Sequence, residues 1–65
     1  NQQEFLRDAM TQLNMTRDEM CKRISVPRKT FDKWLAPVGS NEHRNMPEIA
    51  WAYIREILAN VQKGD

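Results

Sequence analysis

The sequence has very few of the residues that disulfide-bonded proteins, metalloproteins and enzymes require. Among its 65 residues there are one cysteine, Cys21, and one histidine, His43. A single cysteine excludes an intramolecular disulfide, and these two residues are too few for the four ligands of a structural zinc site. The chain also lacks a glycine-rich phosphate loop and a converging pair of acids. We therefore expect a protein that binds no metal or cofactor and is not an enzyme.

Long apolar runs and an excess of charge of one sign are also missing. No segment approaches the roughly 20 apolar residues of a transmembrane helix, and no signal-peptide pattern is present. We therefore expect a cytoplasmic protein that does not enter membranes. The net charge is only +1, but five of the cations fall between residues 22 and 33, where there is one acid. This local excess of four positive charges predicts one basic side of the molecule.

The distribution of apolar residues predicts helices throughout one small domain, residues 1–65. In the first stretch, Phe5, Leu6, Ala9, Met10 and Leu13 recur at helical spacing, and Asn14 is a plausible end. The β-branched residues are too scattered for the alternation of a strand. The sequence predicts a compact all-α fold of four to five helices.

The second and third helices have the clearest boundaries. Thr16 and Glu19 have the spacing of a capping box, which predicts a short helix that runs to about Ile24. After an interruption at Ser25 and Val26, Pro27 suits the first turn of a third helix, because its φ is preset and it needs no amide partner. This third helix should reach about Leu35.

These two short helices, joined by a tight turn and with a basic second helix, resemble the helix-turn-helix of bacterial and phage repressors of the lambda repressor, Cro and XRE type. The resemblance covers roughly Met15 to Leu35, with the helix-turn-helix itself at about residues 16–35. In a twenty-residue window that begins at Arg17, the positions that match are Cys21 (fifth), Val26 (tenth), Phe31 (fifteenth) and Trp34 (eighteenth), and Ser25 is ninth.

Two residues depart from the usual pattern of that family. Ser25 stands where glycine is usual, which predicts a tighter or differently shaped turn. Pro27 stands where serine or threonine is frequent, which predicts the loss of a capping contact. Phe31 and Trp34 are expected to anchor the third helix in the core.

The resemblance implies that the third helix enters the DNA major groove. The expected base-reading residues are Pro27, Arg28, Lys29, Asp32 and Lys33, and the expected phosphate contacts are Thr16, Arg17, Lys22, Arg23 and Thr30. Arg28 is the first candidate for base reading, since a guanidinium can bond guanine O6 and N7 together. Asp32 either accepts from cytosine N4 or orients Arg28 from one turn away. Lys29 and Lys33 either read guanine or hold phosphate.

The last predicted helix, at about residues 46–61, has apolar residues over more than half of its circumference, which exceeds what one small core needs. We expect part of it to join two copies of the chain. The expected homodimer contacts are Trp51, Ile54, Leu58 and Val61. A symmetric dimer would place two recognition helices about one DNA turn apart on a palindromic operator.

The predicted function is therefore sequence-specific binding of double-stranded DNA by a small transcriptional repressor, encoded by a bacterium, phage or plasmid. Two alternatives remain open at this point. One is a protein-interaction module such as an antitoxin or adaptor, since a fold does not determine function. The other is an architectural DNA-binding protein of the phage excisionase type.

Overall fold

The computed structural model describes residues 1–63, which form four α-helices and, within that range, no strand. The helices are α1 (Gln2–Leu13), α2 (Arg17–Ile24), α3 (Arg28–Leu35) and α4 (Glu48–Lys63). The all-α prediction is therefore confirmed. No helix within these 63 residues is long and apolar enough to cross a membrane.

The first helix begins and ends at asparagines. The side chain of Asn1 accepts a hydrogen bond from the Glu4 amide at 2.9 Å. Asn14 adopts a left-handed conformation, φ 55° and ψ 48°, and its amide closes the last turn. Asparagine tolerates this conformation better than most residues. The predicted stop at Asn14 is confirmed.

The second helix has the predicted capping box. The Glu19 amide donates to Thr16 Oγ1 at 3.2 Å, and the Thr16 amide donates to Glu19 Oε1 at 2.8 Å. Two amides that a helix start leaves without partners are thus satisfied. The inner face of α2 consists of Met20, Cys21 and Ile24, all buried.

The turn between α2 and α3 keeps the conformation that glycine usually supplies. Ser25 is left-handed, at φ 59° and ψ 46°. Its amide bonds the Lys22 carbonyl, and the Val26 amide bonds the Cys21 carbonyl at 3.0 Å, as in a Schellman motif. The serine therefore leaves the turn in its common form, contrary to the expected change of shape, and carries the backbone strain itself.

The third helix begins one residue later than predicted. Pro27 has an extended ψ of 144° and occupies the N-cap position, outside the first turn. Its carbonyl accepts from the Phe31 amide at 3.0 Å, but it provides no side-chain cap. The expected loss of a capping contact is thus confirmed. Phe31, Trp34 and Leu35 are buried, as predicted.

A buried glutamine joins three distant parts of the chain. Gln2 Nε2 donates to the carbonyls of Trp34 and Arg44, each at 2.9 Å, and Gln2 Oε1 accepts from the Met46 amide at 2.7 Å. The Arg44 amide also donates to the Lys33 carbonyl at 3.1 Å. The loop before α4 is therefore held against the end of α3 and the start of α1.

The fourth helix completes the core on a face centred on Ile54 and Ile57, which are 0% and 4% exposed. The rings of Phe5 and Trp51 stack with centroids 4.5 Å apart, which joins α1 to α4. The helix spans residues 48–63, shifted from the predicted 46–61, because Pro47 precedes it and accepts the first amide bonds through its carbonyl.

Candidate nucleic-acid interface

The surface of α3 that faces away from the core is basic. Three buried side chains fix the helix, and its other side carries Arg28 and Lys29 exposed, with Asp32 and Lys33 half-buried one turn later. No acid lies in the first turn of α3. Because Pro27 supplies no side-chain cap, the partial positive charge of this helix start faces solvent beside the cations.

Arg28 is held by two carboxylates. Its Nε donates to Asp32 Oδ1 at 3.0 Å, and its Nη1 donates to Asp18 Oδ1 at 2.5 Å. Arg17 Nη1 also donates to Asp32 Oδ1, at 3.3 Å. Hydrogen bonds to Asp32 and then Asp18 raise the pKa of Arg28 above its ordinary value, so the guanidinium stays charged. Of the two roles expected for Asp32, the structure contains the one in which it orients Arg28.

Three lysines surround this network without ion pairs among residues 1–63: Lys22, Lys29 and Lys33. Lys22 and Arg28 line one shallow depression at the α2–α3 turn. Lys29 and Lys33 line another, which the loop residue Glu42 also borders. On the surface formed by α2 and α3, the lysines without an ion pair therefore lie on both sides of the start of α3.

The residues predicted for phosphate contact at the start of α2 are already engaged. Thr16 is occupied by the capping box, and Arg17 by Asp32. Asp18 and Glu19 place two acids in the first turn of α2, where they would repel phosphate. Thr30, in the first turn of α3, is half-buried. The start of α3 is thus the better phosphate position.

Arg23 faces α4. Its Nη1 donates to the Tyr53 hydroxyl at 2.8 Å, and its guanidinium carbon lies 5.7 Å from the centroid of that ring. The guanidinium is thus held over the aromatic face as well as by its oxygen. Arg23 was predicted as a phosphate contact, and the structure places it at the border between the basic surface and α4.

The four predicted dimer residues do not form one exposed face. Ile54 has no exposed surface and lies in the chain's own core, so we remove it from the contact set. Trp51 is half-buried against Phe5, and Leu58 is half-buried against the core. Val61 is 47% exposed, two turns beyond Ile54 on the same side of α4.

The exposed apolar face of α4 is instead formed by residues at positions 49, 52 and 53. Ile49 is 79% exposed and Tyr53 is 42% exposed. They border an open apolar groove of about 480 Å³ between α4 and the α2–α3 turn. The residues that line this groove are Ile24, Val26, Trp34, Pro47, Ile49, Ala50, Ala52, Tyr53 and Glu56.

Sequence reasoning missed Asp18 as the second partner of Arg28. The two residues are ten positions apart and on different helices, so no helical spacing relates them. It also missed Ile49 and Tyr53 as the exposed face, because apolar residues surround most of α4 and leave its orientation open. The spacing of four between Arg28 and Asp32 is a local signal, and their ion pair is one of the two roles expected for Asp32.

These features define a small all-α chain with a basic surface on its third helix and an apolar groove beside its fourth. Residues 1–63 contain no cluster of three potential metal ligands. Comparisons with protein-family models, with curated proteins and with solved structures gave no significant match.

Proposed function

We propose that the chain binds double-stranded DNA with sequence selectivity through the outer side of α3, as a small helix-turn-helix repressor. One observation carries the proposal. The helix is fixed to the core by Phe31, Trp34 and Leu35, while its uncapped start presents Arg28 and Lys29 to solvent. An anchored helix with a basic start is the arrangement that reads base edges in the major groove.

The roles of the cations follow from their surroundings. Arg28 is oriented by Asp32, and a guanidinium held in one direction suits bidentate contact with guanine. Lys22, at the turn, has no such partner within the described chain and would hold phosphate as a point charge. Lys29 and Lys33 continue the same surface by one turn.

Selection from a random pool of DNA duplexes tests this proposal directly. An enriched motif supports it, and a pool that stays random contradicts it. With the selected duplex, Arg28→Ala should lose about tenfold or more of the discrimination at one base pair. Lys22→Ala should weaken all sequences alike and lower the salt slope by about one. Identical behaviour of the two variants would refute this division of roles.

We further propose that the chain binds DNA as a homodimer, in which two copies contact each other through the groove beside α4. The residues at 49, 52, 53 and 56 follow helical spacing on one face, with Ile49 and Tyr53 exposed. This face has Arg23 and Glu56 at its edges, so two copies related by a two-fold axis can pair opposite charges. In this dimer, the exposed apolar face of each copy would be covered by the same face of the other copy.

Sedimentation of matched variants tests this dimer. Ile49→Glu should shift the chain towards monomer, because it places a charge in the apolar contact. Val38→Glu is the control, since Val38 is 68% exposed in the loop before α4 and does not line the groove. Equal sedimentation of the wild type and both variants would refute this interface.

The same groove favours one other function, a module that binds a different protein. In that case DNA binding should be weak, unaffected by competitor sequence and strongly dependent on salt. The selection experiment above separates the two functions, because only a sequence-reading protein enriches a motif.

A further inference from the structure

Both ends of the Arg28 guanidinium are engaged by carboxylates. A guanidinium offers two forks, one made by Nε and Nη2 and one by Nη1 and Nη2. Asp32 accepts from Nε, and Asp18 accepts from one of the two hydrogens of Nη1. A carboxylate therefore lies beside each fork, whereas a bidentate contact with guanine needs both donors of one fork.

The two carboxylates are not equally easy to release. Asp32 lies on α3 itself, four residues after Arg28, and it also accepts from Arg17 at 3.3 Å. Asp18 belongs to α2, and its side chain is 73% exposed, against 44% for Asp32. Asp18 also makes no second ion pair within residues 1–61. Its release leaves the Nη1–Nη2 fork without a neighbouring carboxylate, while Asp32 continues to orient the guanidinium.

We propose that Asp18 is a specificity-determining residue, an internal competitor that occupies the Nη1 end of Arg28 until a guanine replaces it. This inference rests on the proposed DNA-binding function. An exposed ion pair changes an equilibrium by up to about fivefold, so a bidentate guanine contact can displace it. At a site without guanine, the carboxylate keeps its partner, so only the complex with guanine bears the cost of breaking this pair.

The proposal predicts that removal of the carboxylate helps the selected DNA more than a scrambled duplex, because only the selected DNA has to displace it. Asp18→Asn should raise affinity for both duplexes through the lost negative charge, and affinity for the selected duplex by a further factor of about three to five. The ratio of the selected to the scrambled affinity should rise accordingly. Fluorescence anisotropy with both duplexes, at one salt concentration, measures this ratio.

Two further variants separate this role from a general effect of charge. Glu42→Gln removes one acid beside Lys29 and Lys33, away from Arg28, and should raise both affinities by the same factor. In an Arg28→Ala background, Asp18→Asn should also change both affinities equally, because no guanidinium is left for which Asp18 and guanine could compete. A change in the affinity ratio of the same size with and without Arg28 would overturn the role of Asp18.

The outcomes also separate this inference from the proposed function. A wild-type chain that binds the selected and scrambled duplexes equally would overturn DNA reading, and the role of Asp18 with it. A wild-type chain that discriminates, together with an Asp18→Asn variant of unchanged ratio, would overturn the role of Asp18 alone. Thermal unfolding of Asp18→Asn should remain cooperative with only a small loss of stability, since the side chain is exposed, and this result excludes a folding defect.

Discussion

The two ends of α3 are held in opposite ways. At its end, the carbonyls of Lys33 and Trp34 accept bonds from the Arg44 amide and the Gln2 side chain. At its start, Pro27 offers no side-chain cap, and Arg28 faces solvent. The difference shows how a short helix can be held rigidly at one end and still be exposed to a binding partner at the other. Long-range bonds fix the end that faces the protein, and the end that faces outward has no side-chain cap and leaves Lys29 exposed.

The largest effect is expected from breaking the fixed end. Gln2→Leu removes three hydrogen bonds and leaves the Met46 amide and the Trp34 carbonyl without their partner. Buried groups in this state cost about 1–3 kcal/mol each, so the free energy of unfolding should fall by about 2 kcal/mol or more. Urea denaturation followed by circular dichroism measures the change. Gln3→Leu, one position along and half-buried, is the control and should alter stability by less than about 0.5 kcal/mol.

A second prediction compares the capped start of α2 with the open start of α3. Thr16→Ala removes the capping box and should lower the free energy of unfolding by about 1 kcal/mol. Pro27→Ala has no side-chain cap to lose, and should cost only the entropy of the proline ring, about 0.4–1 kcal/mol. Thermal unfolding of both variants tests the order. A larger loss for Pro27→Ala would mean that the proline stabilises the start of α3 by more than the entropy of its ring.

Ser25→Gly should stabilise the protein by about 0.5–1 kcal/mol. The left-handed backbone at position 25 strains a serine but suits glycine, although glycine also gains freedom in the unfolded chain. The midpoint of urea denaturation should rise, with an unchanged slope. A fall in that midpoint would show that the serine side chain contributes a contact that outweighs the strain.

The smallest effect concerns Cys21, which lies beneath the open start of α3 and is 6% exposed. Burial is the main cause that raises the pKa of its thiol above the ordinary 9.0. The unfolded chain therefore releases this proton at a lower pH than the folded chain. Stability should be unaffected below about pH 8 and should fall slightly as the pH rises through 9.

Cys21→Ala provides the comparison for this pH effect. The variant should lose less stability than the wild type between pH 8 and pH 10, measured by urea denaturation at each pH. Parallel curves for the two proteins would mean that the thiol titrates alike in the folded and unfolded chains.

The helices and their boundaries could be predicted because their causes are local. A capping box, a left-handed asparagine and a proline each act within four residues of the position that they define. The same holds for the pair of Arg28 and Asp32, which are one turn apart on α3. These parts of the fold and of the site needed no knowledge of tertiary packing.

The features that the sequence did not predict depend on residues that meet only after folding. Gln2 resembles Gln3 in the sequence, and its partners lie 32 to 44 residues away. Asp18 reaches Arg28 only because the turn at Ser25 brings α2 beside α3. Ile54 was assigned to a dimer contact because the apolar residues of α4 cover too much of its circumference to show which side is inward.

The position of Gln2 also bears on the order in which the chain folds. Helices form from neighbouring residues, whereas the bonds of Gln2 require the chain to close loops of 32, 42 and 44 residues. We expect such contacts to form late, after the rate-limiting barrier of folding has been crossed. Gln2→Leu should then raise the rate of unfolding and leave the rate of folding nearly unchanged.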